Sequence, residues 1–226
     1  MTEAEWLACE EPEKILAFIL SPTFAINDLR KDRLFVCACC RQAREVTREP
    51  VLLDVVGRME RYEDDEEVEW EQLVVDFDTT HELEEKWKKR RPRASLAAGL
   101  VNLACMDDTE MLRWVYPYLL DLTRKPARPD RAAWAVQVAR CIWGTLHYRR
   151  PVLGTAWLAP GLVSLAQAAY DERLLPSGHL DNARLAVLSD ALEEAGCADA
   201  DLLPHLRSPG PHVRGCWALD IVLGKN

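Results

Sequence analysis

The sequence lacks the short motifs that identify several large enzyme classes. It contains no Gly-x-x-x-x-Gly-Lys-Ser/Thr, no Gly-x-Gly-x-x-Gly, no Gly-x-Ser-x-Gly and no His-Glu-x-x-His. These absences argue against a phosphate-binding loop, a dinucleotide fingerprint, a nucleophile elbow and a zinc-protease helix. A Ser–His or Cys–His pair that meets only in the folded chain stays open, because such pairs assemble in space. The sequence therefore favours a non-catalytic protein.

Long hydrophobic runs are also missing. The longest purely apolar run extends from Leu34 to Cys40, far short of the roughly 20 residues that span a bilayer. The chain opens on acidic residues, without the basic start and apolar stretch of a secretory signal. Its eight cysteines mostly lie in apolar helical patterns, which is typical of reduced thiols. We expect a cytoplasmic protein without a membrane segment.

Excess positive charge is absent as well. The 37 acidic residues outnumber the 28 basic ones, so the formal net charge is −9. Non-specific binding to nucleic acid or to a membrane surface depends on excess Lys and Arg. The charge thus disfavours both, although the excess acid is concentrated locally. The length of 226 residues and the 49% hydrophobic content suit a globular protein with a sizeable core.

What is present is helical periodicity, without a convincing alternating strand. Thr2 and Glu5 match a capping box, and Pro12 suits the first turn of a helix. Ten to twelve helices are expected, including segments at about 28–46, 50–62, 66–90, 94–106, 108–124, 130–147, 160–173 and 182–195. The pattern predicts an all-α fold, a multi-helix right-handed array or bundle. We expect one all-helical domain over 1–226, with a sub-boundary near 149–159 between a helical bundle (1–148) and a C-terminal part (160–226).

The C-terminal 26 residues predict two short amphipathic helices joined by a turn that starts at Ser208-Pro-Gly-Pro211. One apolar stripe contains Leu202, Leu203 and Leu206. The next contains Val213, Cys216, Trp217, Ile221 and Leu223. This layout resembles one unit of a HEAT-type repeat, in which paired helices stack to form a binding surface. The resemblance favours a scaffold for partners over a catalytic pocket.

A cluster of cysteines is the strongest local indication of a chemical site in the sequence. Cys37 and Cys40 lie three residues apart on one helical face, and Cys39 is adjacent. A structural zinc needs four thiolate or imidazole ligands, usually from two short motifs, and no second Cys-x-x-Cys follows. His81, His205 and His212 are the single histidines that we considered as further ligands. Packing as small buried hydrophobes is the alternative for these thiols.

Charged blocks of opposite sign occupy residues 63–93. Glu66 and Glu67 belong to the acidic block, which we interpret as a solvated face. A basic run follows, and at a helix C-terminus cations interact well with the helix dipole. Its tryptophan and cations could also contact nucleic acid, but the neighbouring acid disfavours this. We predict that these blocks dock on a partner, through Glu66, Glu67, Trp87, Lys88, Lys89, Arg90, Arg91 and Arg93.

Eight tryptophans are many for this length. Four of them lie at helical spacing among aliphatic residues, where a large apolar ring fills a core. We expect a buried position for Trp114, Trp134, Trp143 and Trp217, and a surface position for Trp87 and Trp157.

Several segments together resemble a protein family expanded in planctomycete bacteria. They are Met1-Thr-Glu-Ala-Glu-Trp-Leu-Ala-Cys9, Arg33-Leu-Phe-Val-Cys-Ala-Cys-Cys-Arg41, Tyr170-Asp-Glu-Arg173, Leu188-Ser-Asp-Ala-Leu-Glu-Glu-Ala-Gly-Cys197 and Gly210-Pro-His-Val-Arg-Gly-Cys-Trp217. The segment Arg184 to Gly196 also resembles a domain found beside repeat proteins in the same bacteria, with Ala191 where that domain usually has tryptophan. Neither resemblance implies a catalytic residue.

Three hypotheses of function follow. The first is a non-catalytic helical module that binds a protein partner of unknown identity. The second is a metal- or thiol-dependent protein that uses Cys37, Cys39 and Cys40, with zinc as the candidate metal. The third is nucleic-acid binding through residues 86–93, which the adjacent acid makes the least favoured.

Overall fold

The computed structural model describes residues 1–24, 26, 28–64, 68–106, 111–123, 129–149, 151, 157 and 159–225, and side chains of these except 116, 119–123 and 129–132. In this part of the chain thirteen helices form. They are α1 (Glu3–Ala8), α2 (Pro12–Ile19), α3 (Leu29–Gln42), α4 (Arg44–Thr47), α5 (Pro50–Tyr62), α6 (Trp70–Trp87), α7 (Pro92–Ala104), α8 (Met111–Thr123), α9 (Pro129–Trp143), α10 (Pro160–Asp171), α11 (Asn182–Glu194), α12 (Leu202–Arg207) and α13 (Trp217–Leu223).

Local sequence chemistry sets many of these boundaries. Helices α2, α5, α7, α9 and α10 each begin at a proline, whose missing N–H costs nothing in the first turn. The predicted capping box is confirmed. The Thr2 amide donates to the Glu5 carboxylate at 2.7 Å, and the Glu5 amide donates to the Thr2 hydroxyl at 3.3 Å. The Asp28 carboxylate accepts from the Lys31 amide and caps α3.

The all-α prediction is confirmed, since the described residues contain no strand. The expected helix over 28–46 is interrupted, because Ala43 has extended backbone angles and separates α3 from α4. The HEAT-type interpretation of the last two helices stays a prediction. None of the described helices combines the length and the apolar character that a bilayer crossing requires.

The contacts divide the chain into two compact units. Unit 1 contains Met1–Ala8 with Gln137–Asn226, and unit 2 contains Cys9–Val136. The division falls within α9, and the Met1–Ala8 segment belongs to the C-terminal unit. The sub-boundary predicted near 149–159 falls inside unit 1 and largely outside the described residues.

Unit 2 is arranged around α3, which packs against α5, α7 and α8. Its helices are also joined by ion pairs. Arg41 of α3 donates two bonds of 2.7 Å to the carboxylate of Glu60 in α5, and both side chains are buried. Arg58 of α5 donates two bonds of 2.7 Å to Asp76 of α6. Such paired, fork-like contacts fix the register between helices.

Unit 1 packs α10 against α11 and α13, and α11 against α12. The N-terminal segment is attached by Arg140 of α9, which donates to the carbonyl oxygen of Trp6 at 3.0 Å. Leu185, Leu188 and Leu192 of α11 are fully buried in this unit. The short helices α12 and α13 are joined by residues 208–216, and this connection carries the candidate site.

The tryptophan predictions have mixed outcomes. Trp143 and Trp217 are buried, as expected. The prediction for Trp114 is wrong, because Met111, Leu112 and Val115 form the inward face of α8 and leave Trp114 54% exposed. The prediction for Trp157 is also wrong, since its side chain is buried.

Candidate metal centre

Four side chains with metal-binding atoms converge in unit 1. Cys141 lies in the last turn of α9, His205 in α12, His212 in the connection 208–216, and Cys216 immediately before α13. One ligand atom from each lies within 4.8 Å of all the others. Among the described residues, this is the one group in which three or more His, Cys, Asp or Glu ligand atoms come together in this way.

The spacing of these atoms suits a tetrahedral ion. Zinc with Zn–S of about 2.3 Å and Zn–N of about 2.0–2.1 Å places neighbouring sulfur and nitrogen ligands roughly 3.5 Å apart. The Sγ of Cys141 lies 3.9 Å from Nδ1 of His212, and Nε2 of His205 lies 3.3 Å from the Sγ of Cys216. The two imidazole rings are perpendicular, with centroids 4.8 Å apart. These two sulfur–nitrogen distances lie within about 0.4 Å of the value expected around one zinc ion.

Hydrogen bonding fixes the orientation of one ligand. Nε2 of His212 lies 3.1 Å from the carbonyl oxygen of Ser208, which can only accept, so Nε2 carries the proton. Nδ1 then has its lone pair free to face the Sγ of Cys141. The hydroxyl of Ser208 lies 3.2 Å from the same Nε2. Metal-binding histidines in proteins are commonly oriented by a contact of this kind at the other ring nitrogen.

The cluster also favours a thiolate at Cys216. Burial raises the pKa of this thiol, but hydrogen bonding by Cys141 and the charge and hydrogen bond of His205 outweigh burial. The pKa of Cys216 is therefore held well below its ordinary value. The thiolate is the form of cysteine that binds a metal. Cys141, His212 and Cys216 are buried, which shields these ligands from water.

Two glycines allow backbone segments near the four ligands to lie close to neighbouring residues. Gly144 follows α9 with a positive φ of 53°, and a Cβ there would lie 2.4 Å from the ring of Trp217. This contact brings the end of α9, with Cys141, close to the start of α13, next to Cys216. Gly210 has a φ of 81°, and a Cβ there would lie 2.7 Å from the backbone nitrogen of His212. A side chain at Gly144 would displace the ring of Trp217, next to Cys216, and one at Gly210 would displace the backbone of His212.

The cysteines that the sequence singled out lie elsewhere. Cys37, Cys39 and Cys40 are buried in α3 of unit 2 and do not belong to the group of four. The thiol of Cys40 lies 3.5 Å from the carbonyl oxygen of Leu100. Burial raises the pKa of each of the three thiols, so they are held protonated at neutral pH. Metal binding at this cluster stays a prediction.

The predicted docking residues are partly engaged within unit 2. Lys88 pairs with Glu85, Arg91 pairs with Glu49 and lies over the ring of Trp87, and Arg93 pairs with Glu45. Lys89 and Arg90 are exposed. Glu66 and Glu67 lie outside the described residues. Partner binding through this set stays a prediction.

Comparisons with known proteins give no assignment. No protein-family model matches the chain, and searches of curated proteins and of solved structures find no match either. The resemblance to the planctomycete family therefore stays a prediction, and the function is argued from the site.

Proposed function

We propose that this protein binds one zinc ion through Cys141, His205, His212 and Cys216, and that the ion stabilises unit 1. The observation that carries the proposal is the convergence of two sulfur and two imidazole nitrogen atoms within 4.8 Å. A tetrahedral set of two thiolates and two imidazoles is typical of zinc. Four protein ligands leave no open position for water or substrate, so the site is structural and not catalytic.

The short helices explain why a metal would be useful here. Helix α12 has six residues and α13 has seven, and isolated helices of this length are unstable in water. Cys141 lies in α9, His205 in α12, and His212 and Cys216 in the connection that leads into α13, so one ion would cross-link these segments. An ion that binds the folded state and not the unfolded chain adds its binding free energy to the stability of the fold.

The first test is the metal content of untagged protein purified without chelators, followed by Co²⁺ titration of the metal-free protein. We expect about one zinc per chain from the four-ligand site, and the intense visible absorption of tetrahedral Co²⁺ with thiolate ligands. Cys216→Ser should weaken metal binding more than about 100-fold, because even changes to groups that merely orient ligands cost about 10–100-fold.

Cys197→Ser is the matched control. Cys197 is another buried thiol of unit 1 outside the group of four, so its loss should leave Co²⁺ absorption unchanged. The proposal fails if the wild type binds neither ion, or if Cys197→Ser and Cys216→Ser lower the affinity equally. Zinc retained in Cys216→Ser but lost in Cys37→Ser would instead place the metal at the α3 cluster.

We also propose that the protein is a non-catalytic cytoplasmic interaction module. A specific surface supports this second proposal: α6 exposes apolar side chains beside a line of carboxylates.

A further inference from the structure

Helix α6 of unit 2 has two different apolar faces. Its inner face contains Leu73 and Thr80, which are buried. Its outer face carries Trp70, Val74 and Phe77, which are 46%, 44% and 36% exposed. Positions i, i+4 and i+7 lie on one side of a helix, so these three side chains form a continuous line. We call Trp70, Val74 and Phe77 the apolar line.

The helix that carries this line is firmly attached to its neighbours. On its inner face, the Asp76 carboxylate accepts two bonds from Arg58 of α5. Asn102 of α7 donates to the carbonyl oxygen of Phe77 at 2.8 Å and to the hydroxyl of Thr80 at 2.9 Å. These contacts satisfy the inner face while leaving the apolar line at the surface. The line is therefore a preformed platform, and a partner would not have to order it on binding.

A row of carboxylates runs beside the apolar line. Glu71, Asp78 and Glu82 recur at i, i+7 and i+11, and all three are exposed. On the helical wheel they lie about one residue's rotation, roughly 100° at 3.6 residues per turn, from the apolar line. We call these three residues the acidic line. The surface thus presents an apolar anchor with negative charge along one flank.

Charge decides between the occupants that such a face could take. In an antiparallel pair of α6 helices from two copies, the two-fold axis places the acidic line of one copy beside that of the other. Like charges at this distance repel, so a second copy in this antiparallel pairing is disfavoured. An anionic membrane surface is disfavoured for the same reason. A partner helix with lysine or arginine beside its own apolar stripe would pack that stripe on the apolar line and pair its cations with the acidic line.

We propose that the outer face of α6 binds a basic amphipathic helix of a partner protein. The partner would place apolar side chains at i, i+4 and i+7 on Trp70, Val74 and Phe77. Its cations would face Glu71, Asp78 and Glu82. Helix-in-groove recognition of this kind derives affinity from the apolar anchors, and the charges select the partner and the orientation. This surface is independent of the zinc site, and its failure would leave the zinc proposal intact.

The test uses the full-length protein and two fluorescein-labelled peptides about as long as α6. Both have leucine at i, i+4 and i+7; one has lysine along the flank and the other has glutamate. Fluorescence anisotropy should show that the lysine peptide binds at least about tenfold more tightly. Each exposed ion pair is weak, but several attractive pairs with the lysine peptide become repulsive contacts with the glutamate peptide. Added salt should reduce this preference because it screens exposed charges.

Variants of α6 separate the two lines. Val74→Asp with Phe77→Asp should abolish binding. Val75→Asp is the matched control, because Val75 is also exposed on α6, at 54%, but lies across the acidic line from the apolar line. It should keep binding of the lysine peptide. Asp78→Lys with Glu82→Lys should weaken binding of the lysine peptide and strengthen binding of the glutamate peptide. Circular dichroism checks that each variant keeps its helical content.

Several outcomes would overturn the proposal. Equal binding of the two peptides, or no binding of either, would contradict the proposal that the partner helix is basic. An equal loss of binding in Val75→Asp and in the Val74/Phe77 double variant would show that the apolar line is not the anchor. A wild-type dimer in sedimentation that dissociates in the double variant assigns the face to a second copy. Binding to anionic vesicles that depends on Val74 and Phe77 assigns it to a membrane.

Discussion

At the scale of single residues, the most unusual group is Asp32 at the start of α3. Its side chain is buried, and burial, with the nearby charge of Asp28, raises its pKa from 3.8 to about 7. A raised pKa means that the folded chain holds the proton more tightly than the unfolded chain. Protonation of Asp32 therefore stabilises unit 2 fully below about pH 4, and this contribution is lost as the pH rises towards 7.

Asp32→Asn should remove that dependence, because the amide is neutral at every pH. The free energy of unfolding of the variant, relative to wild type, should rise by up to about 1.4 kcal/mol per pH unit between about pH 4 and 7, then level off. Urea unfolding at a series of pH values measures this difference. A difference that stays constant across the range, or that falls with rising pH, would contradict the prediction.

Single residues also show how far the sequence could predict the site. His205, His212 and Cys216 lie within twelve residues of one another, so three of the four ligands were visible as a local group. The apolar residues around them led us to predict a pair of helices and not a metal site. Cys141 is distant in sequence and is brought to them by tertiary packing, which includes the close approach of Gly144 to Trp217. No local pattern encodes that contact, and the sequence directed attention to Cys37 and Cys40 instead.

At the scale of helices, prediction succeeded where local chemistry decides. Prolines at N-termini and helical periodicity give α5, α7, α9 and α10 to within a few residues. It failed where packing decides, as at Ala43, where the sequence predicted one continuous helix but the backbone turns between α3 and α4. The outward position of Trp114 has the same origin. Periodicity shows which residues share a face, and the neighbouring helices decide which face is buried.

Two glycines inside helices provide a matched test of helix packing. A Cβ on Gly57 of α5 would meet the guanidinium groups of Arg61 at 3.6 Å and Arg41 at 4.0 Å, both at ordinary van der Waals distance. A Cβ on Gly99 of α7 would lie 2.4 Å from the ring of Tyr118 and 2.7 Å from the carboxylate of Glu84. Alanine at Gly99 would therefore break the hydrogen bond of 3.0 Å that joins Tyr118 to Glu84.

Gly57→Ala should stabilise unit 2 by about 0.5–1 kcal/mol, because alanine loses less backbone entropy in a helix. Gly99→Ala should destabilise it by about 1–3 kcal/mol, because overpacking outweighs that gain. Urea denaturation midpoints of the two variants measure both effects. Equal gains in stability would show that α6, α7 and α8 can separate to admit a methyl group.

At the scale of the whole molecule, the two units differ in what holds them together. Unit 2 has long helices, a large apolar core and buried ion pairs such as Arg41–Glu60. Unit 1 ends in two helices of six and seven residues, and three of the four ligands lie in the first of these helices or in the connection between them. Zinc should therefore stabilise the units unequally. All of its ligands lie in unit 1, so an ion bound there favours only conformations in which α9, α12 and α13 are assembled.

Hydrogen exchange detects this difference directly. Zinc at 100 times its dissociation constant stabilises the bound fold by about 2.7 kcal/mol, which corresponds to about 100-fold slower exchange. We expect that slowing at the amides of α12, α13 and the end of α9, with α3 and α5 as the unchanged internal reference. Cys216→Ser should lose the effect, and Cys197→Ser should retain it. Equal slowing in both units would mean that zinc stabilises the chain as one cooperative body, and no slowing would remove its structural role.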